Sequence, residues 1–357
     1  MLRQIIGALY LLFALPGLAQ SPGKNQVTLP QDPRAILAAA APHYNFFDPA
    51  LKPWHLKATY QLYDFQGKPS EQGTWEFWWA SAKVYRSSFH RGGISSTMWA
   101  TSDGSIYRKE IGGPPRYFEG RLKEIVLREV PDINLIGSPA TEPKIKVIGN
   151  GPTSLTCIES NLQGRVNSAQ RMPPQQAPGL YCFDLTTGAL RATFLEDLLT
   201  QYSQHVELQG KYFARQISVQ IEKQLLLTVS VESIEETPEI NSVFDPPADA
   251  SKVNEIAHVT QSGQSATKVE VGSLVKKVTP EYPPMAKSQR IQGIVRLGCT
   301  IGTDGKVHDI DVLAAPSPLL VEAAVDAVKH WEYKPTTLGG KPIKIETIIN
   351  VVFSLGN

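Results

Sequence analysis

The chain has 357 residues, 42% of them hydrophobic and 19% charged, a composition that builds a core and leaves room for two ordinary domains. Thirty-five basic residues face thirty-four acidic ones, a formal charge of +1, so no basic field is available to hold nucleic acid by its phosphates.

The first element is an export signal over residues 1–19. Arg3 supplies its positive start, Ile5 to Leu15 its apolar run, and Gly17 and Ala19 the small residues a signal peptidase needs. Cleavage is expected after Ala19, releasing the mature chain into the periplasm. The alternative is an uncleaved N-terminus anchored in the inner membrane, although the apolar run is shorter than the ~20 residues that span a bilayer. A polar stretch, Ser21 to Asp32, then leads to a mainly β domain expected over residues 30–245.

Asp32 followed by Pro33 predicts a helix through Ala35 to Ala41, because an Asp cap and a proline at the first helical position satisfy its open end. The pattern then changes to period two. Leu56, Ala58, Tyr60 and Leu62 form one strand face, and Trp75, Phe77 and Trp79 another. Asp103-Gly104 marks a tight hairpin before Ile106 and Tyr107, while Leu122 to Val130 and Leu195 to Tyr202 read as short covering helices. Alternation returns in Phe213, Arg215, Ile217, Val219 and Ile221, and again in Leu225, Leu227, Val229 and Val231, across a turn at Lys223-Gln224. A curved antiparallel sheet with covering helices in an exported chain resembles the half-barrel of LolA-like lipoprotein carriers.

Five tryptophans, Trp54, Trp75, Trp78, Trp79 and Trp99, crowd into this domain, with Trp78 on the strand face opposite its neighbours. They make either an aromatic core or an apolar groove for a lipid or acyl ligand. Cys157 and Cys182 flank a Pro- and Gln-rich loop, Met172 to Pro178, and are expected to join two adjacent strands as a disulfide, two buried free thiols being the alternative. Cys299 shares a strand face with Val295, Leu297 and Ile301 and reads as a core thiol.

Residues 246–270, with Pro246, Pro247 and the run Gln261 to Ser265, read as a linker that lets its flanking domains move semi-independently. A small domain over residues 271–357 follows. Val295 to Ile301 and Val307 to Leu313 form a hairpin about Thr303-Asp304-Gly305. Leu320, Ala323, Ala324, Ala327 and Trp331 recur at helical spacing, and Ile343, Ile345, Ile349, Val351, Phe353 and Leu355 alternate along a last strand. The whole chain is thus α+β, its C-terminal part an αββαβ unit.

This last segment resembles the TonB C-terminal domain through Pro280, Tyr282, Pro283 and Ala286, then Gly293 and Val295, then Asp304, Gly305 and Val307, then Trp331, Tyr333 and Pro335. The resemblance implies capture of an extended segment of an outer-membrane receptor, or of another envelope protein, by strand addition. The positions implied are Thr279, Pro280, Glu281, Tyr282 and Pro283, with Ile343, Ile345, Thr347, Ile349 and Val351 on the last strand. For Tyr282 and Pro283 the alternative is that they merely fix how the chain approaches its helix. An open edge can also pair with a second copy of the chain, so a homodimer is a further expectation.

Neither a zinc-protease His-Glu-x-x-His, a phosphate-cradling Gly-rich loop, a Gly-x-Ser-x-Gly elbow nor a Cys-x-x-Cys pair occurs, so the reading is a binding protein and not an enzyme, with no metal or cofactor. His308 and His330 read as strand and helix-end residues, and Asp309 and Asp311 as carboxylates on a solvated strand.

Overall fold

The computed structural model describes residues 32–130, 143–148, 154–160, 179–184, 186–195, 197–237, 242–253, 269–270 and 272–355. The export signal with its cleavage after Ala19, and the loop Met172 to Pro178, lie outside the described residues.

Asp32 caps the first helix, α1 (Pro33–Ala40), its carboxylate accepting a 2.8 Å hydrogen bond from the Ala35 amide. The strands β1 (Trp54–Tyr63), β2 (Pro69–Ser81), β3 (Val84–Arg91), β4 (Ile94–Ala100) and β5 (Ile106–Ile111) then form a meander. After α2 (Leu122–Val126) come β6 (Lys144–Ile148), β7 (Leu155–Ser160), β8 (Gly179–Phe183), β9 (Leu190–Leu195), β10 (Leu198–Leu208), β11 (Lys211–Ile221), β12 (Gln224–Glu236) and β13 (Ser251–Val253). They join one curved, unclosed antiparallel sheet in the order β13-β5-β4-β3-β2-β1-β12-β11-β10-β9-β8-β7-β6. β1 pairs with β12, so the two meanders meet at the middle of the sheet.

Alternation decides which face is buried. Leu56, Ala58 and Tyr60 on β1, Trp75, Phe77 and Trp79 on β2, and Ile217 and Val219 on β11 lie against Ile36 and Leu37 of α1 and Leu122, Ile125 and Val126 of α2 in one core. Trp54, Trp75 and Trp79 are each 1% exposed or less, and Trp54 packs against Phe77, Trp79 and Phe213. The aromatic cluster is therefore core, while Trp78 turns to the other face and stacks on His55 at 3.4 Å.

Two expected helices differ. Leu195 to Tyr202 is not helical: Asp197, at φ 65°, reverses the chain, and Leu198 pairs back onto Leu195 as β10 follows β9. Thr193, Thr200 and the flanking aromatics suit a pleated surface better than a helix. The helix at Leu122 ends at Val126, four residues before Val130. Cys157 and Cys182 face each other across β7 and β8 and are joined in a disulfide.

The stretch 246–270 contains β13, which adds to the β5 edge, and β14 (Val269–Glu270), while residues 254–268 lie outside the described set. The C-terminal unit adds β15 (Leu274–Lys276), α3 (Pro284–Ser288), β16 (Gly293–Ile301), β17 (Val307–Ala314), α4 (Pro318–Lys329), β18 (Glu332–Tyr333), β19 (Thr337–Leu338), β20 (Lys341–Pro342) and β21 (Ile345–Phe353). Its main sheet has the order β17-β16-β21, with β14-β19-β20 and β15-β18 as small satellites. Ser317 caps α4, and Leu320, Ala324 and Val328 lie at successive four-residue steps with none of their surface exposed. Burial of each leucine or valine contributes about 1.5–3 kcal/mol. They meet Val295, Leu297, Cys299, Ile301, Ile349 and Val351 in a second core.

Candidate functional site

β21 is an edge strand. It pairs with β16 from Ile301↔Ile345 to Gly293↔Phe353, and no strand follows on its other side among the described residues. Among the described residues the backbone groups along that side have no strand partner, the arrangement that invites strand addition.

The residues expected to form the site divide into two groups. Ile345, Ile349 and Val351 point into the C-terminal core, Ile343 is buried beside them, and Thr347 stands opposite Cys299. Their side chains hold the strand in place, and its edge has only backbone to offer. The side chains on the opposite face are Glu346, Ile348, Asn350 and Val352, placed there by the same alternation that turns Ile349 inward. Asn350 is exposed and Val352 is 62% exposed.

The other group sits at the far end of β21. Pro283 precedes α3 in extended conformation and Pro284 begins it. The Tyr282 ring packs edge-on against Phe353 at 5.4 Å, and its hydroxyl donates to the Ile291 carbonyl at 2.5 Å. The Lys287 ammonium lies 5.7 Å above that ring. Thr279 and Glu281 are exposed, and the Val278 carbonyl accepts from the Trp331 indole at 2.8 Å. Tyr282 is thus brought to the Phe353 end of β21, whereas Ile343 is fixed at the other end by the hydrogen bond its amide donates to the Thr336 carbonyl.

Asp311 does not lie on a solvated strand. Its carboxylate accepts from the Arg116 guanidinium at 2.7 Å and from the Tyr117 amide at 2.5 Å, tying β17 to the N-terminal domain. That bond raises the Arg116 pKa above its ordinary value. Arg116 also reaches Glu71 at 3.4 Å, Arg91 bridges Glu71 and Glu119 at 2.6 and 2.7 Å, and the Tyr60 hydroxyl donates to Glu119 at 2.5 Å. A line of charge therefore runs from the C-terminal sheet into the N-terminal core. Gly73 makes room for it, since a Cβ there would lie 2.4 Å from the Tyr60 hydroxyl. No local sequence pattern could have paired Asp311 with a residue 195 positions away.

A groove of about 490 Å³ on the N-terminal domain is lined by Thr59, Tyr60, Gln61, Gln72, His90 and Thr228 among others, a surface of mixed polar and apolar character. Cys299 is buried, and burial pushes its thiol well above the ordinary range, so it is a core group and not a nucleophile.

Residues 278–355 match the family described as the Gram-negative bacterial TonB protein C-terminal. The C-terminal module is TonB-like. Protein TonB of Pseudomonas aeruginosa is 38% identical over 63 residues, 17% of this chain and 18% of that protein, so the chain spans under a fifth of that relative's length. The solution structure of the Pseudomonas aeruginosa TonB C-terminal domain is 29% identical, covers 24% of this chain and 88% of its own, and overlaps with a TM-score of 0.22. A LolA superfamily protein from Nitrosomonas europaea, 7% identical, covers 60% of this chain and 98% of its own with a TM-score of 0.34.

Proposed function

We propose that this chain is an envelope binding or adaptor protein whose TonB-like module takes an extended segment of a partner as an added strand along β21. The observation that carries the reading is the edge position of β21 within the segment that matches the TonB C-terminal family. Strand addition draws affinity from backbone hydrogen bonds and specificity from alternate side chains. Here the groups able to contribute specificity are Asn350, Val352 and the Tyr282 surface beside Phe353. The partner class is an outer-membrane receptor or another periplasm-facing protein, and the working compartment is the periplasm. Acyl carriage lacks comparable support, because the aromatic side chains available to line a groove are packed against one another.

Amide spectra of the full chain, recorded with and without synthetic peptides from the N-terminal segments of outer-membrane receptors, test the reading. Shifts are expected along Asn350 to Phe353 and at Tyr282. A folded, monomeric chain in which no peptide moves these amides overturns it. So does a chain whose β21 edge is already paired with a second copy.

A further inference from the structure

The C-terminal module has its own core, closed by α4, yet the other face of its sheet rests on the N-terminal domain, on residues 114–121 and on the β11–β12 turn at Glu222 to Gln224. The contact combines several chemistries. The Tyr117 ring lies directly over Gly298 of β16, where a Cβ would come within 2.6 Å of the ring. Asp311 takes both the Arg116 guanidinium and the Tyr117 amide. Leu313 and Ala314 are buried in the N-terminal core, Ile348 packs against it, and the Gln224 side-chain amide donates to the Leu313 carbonyl at 2.9 Å. Arg296 pairs with Glu222 at 3.0 Å.

The same seat carries costs. The Arg296 Nε is buried without a hydrogen-bond partner, and the Glu346 carboxyl is pressed against Gly120, where a Cβ would stand 2.8 Å from its oxygen. Burying the Arg296 Nε unpaired is unfavourable, burial raises the Glu346 pKa above its ordinary value, and both groups regain water if the face opens.

We propose that residues 114–121 are a latch: the TonB-like module leaves and rejoins the N-terminal domain as a unit, and the closed seat competes with strand addition beside Ile345 to Ile348. The competition follows from strand geometry. A strand added along β21 sends alternate side chains to the face on which Glu346 and Ile348 already meet the latch. Closure thus leaves the Asn350 to Phe353 half of the edge as the accessible one. This second clause rests on the strand-addition reading, whereas the latch itself does not.

Gly298 supplies the test. Its φ is not in the left-handed region, so Gly298→Ala adds no such backbone strain to β16 while driving a methyl into the Tyr117 ring. In the full chain without peptide, hydrogen exchange in Arg116 to Arg121 and along Glu346 to Ile348 is expected to rise on the order of tenfold or more, equivalent to about 1.4 kcal/mol of lost docking. Amides facing the module core, such as Val295 and Leu297, stay protected. Arg116→Ala, which touches neither core, gives the same pattern, and Gly298→Ala combined with Tyr117→Ala recloses the seat. Unchanged exchange in both single variants overturns the latch, as does a rise spread evenly through the module core. With a peptide found to bind β21, the open variants bind at least several-fold more tightly. Equal affinity overturns the competition, and the absence of any peptide binding overturns strand addition while leaving the latch to the exchange result.

Discussion

Glu119 is the residue on which the N-terminal charge network turns. With none of its side chain exposed, its carboxylate receives the Tyr60 hydroxyl, the Arg91 guanidinium and the Arg116 amide. A buried ion pair is weak evidence of net stability, but removing one partner leaves the other charged and dry. Glu119→Ala is therefore expected to destabilise the chain by about 3–5 kcal/mol, read as a fall in the urea midpoint. Glu119→Gln, which keeps an acceptor for Tyr60, costs less. Glu129 makes a second residue-level prediction. Burial, only partly opposed by Lys123 and Arg128, raises its carboxyl to about 7. A carboxyl whose folded pKa exceeds its unfolded value holds a proton in the native state that the unfolded chain has released. Its stabilising effect is complete below the unfolded value near 4.5 and declines as pH rises through 7. Glu129→Gln should thus gain on the original chain between pH 5 and 8, by on the order of 3 kcal/mol at the upper end. Parallel pH–stability curves for the two would refute that assignment.

Among the elements, those with a long uninterrupted period were legible in the sequence and those defined by a single backbone reversal were not. β1 and β2 declare themselves, since Leu56, Ala58 and Tyr60 and then Trp75, Phe77 and Trp79 alternate without a break. Leu195, Leu199 and Tyr202 mislead because four- and three-residue spacings suit a helix as well. Only the positive φ at Asp197 separates two strands there, and that is a property of the backbone. β13 is three residues long, too short for any period, and it pairs with β5 across more than a hundred residues. The candidate site was half legible: β21 was found through its inward residues, while Arg116, Tyr117 and Asp311 depend on a contact between distant segments that local pattern does not carry. The β7–β8 disulfide was legible because two cysteines flanked one loop. It ties down an arm whose one face joins the main core through Ile158, Tyr181 and Phe183 and whose other face builds a small satellite core of Ile148, Cys157, Leu180, Cys182, Ala192 and Leu199. Reduction is expected to cost about 2–4 kcal/mol. Exchange should quicken in β6 to β8 before β1 and β12, and uniform loosening of the sheet would contradict that ordering.

At the scale of the whole molecule, two cores meet at one face, and each half is shaped by the other's presence. Leu313 and Ala314 belong to the C-terminal chain yet are 5% and 6% exposed only because the N-terminal core surrounds them, and Ile348 packs there as well. Among the described residues the same module has unpaired edges at both β17 and β21. Separated from its partner domain, residues 272–355 would expose Leu313, Ala314 and Ile348 on a face flanked by two open strand edges, a combination that favours self-association. Sedimentation velocity is therefore expected to show the isolated module forming dimers or larger species as its concentration rises, while the full chain at the same molar concentration associates less. Leu313→Ser and Ile348→Ser together should suppress the effect without opening the α4-covered core, since Val295, Leu297 and Val328 lie on the other side of the sheet. A folded isolated module that remains monomeric over the same range would mean that the latched face contributes little to association. The N-terminal domain would then serve the module as a positioning surface alone, and not as a cover.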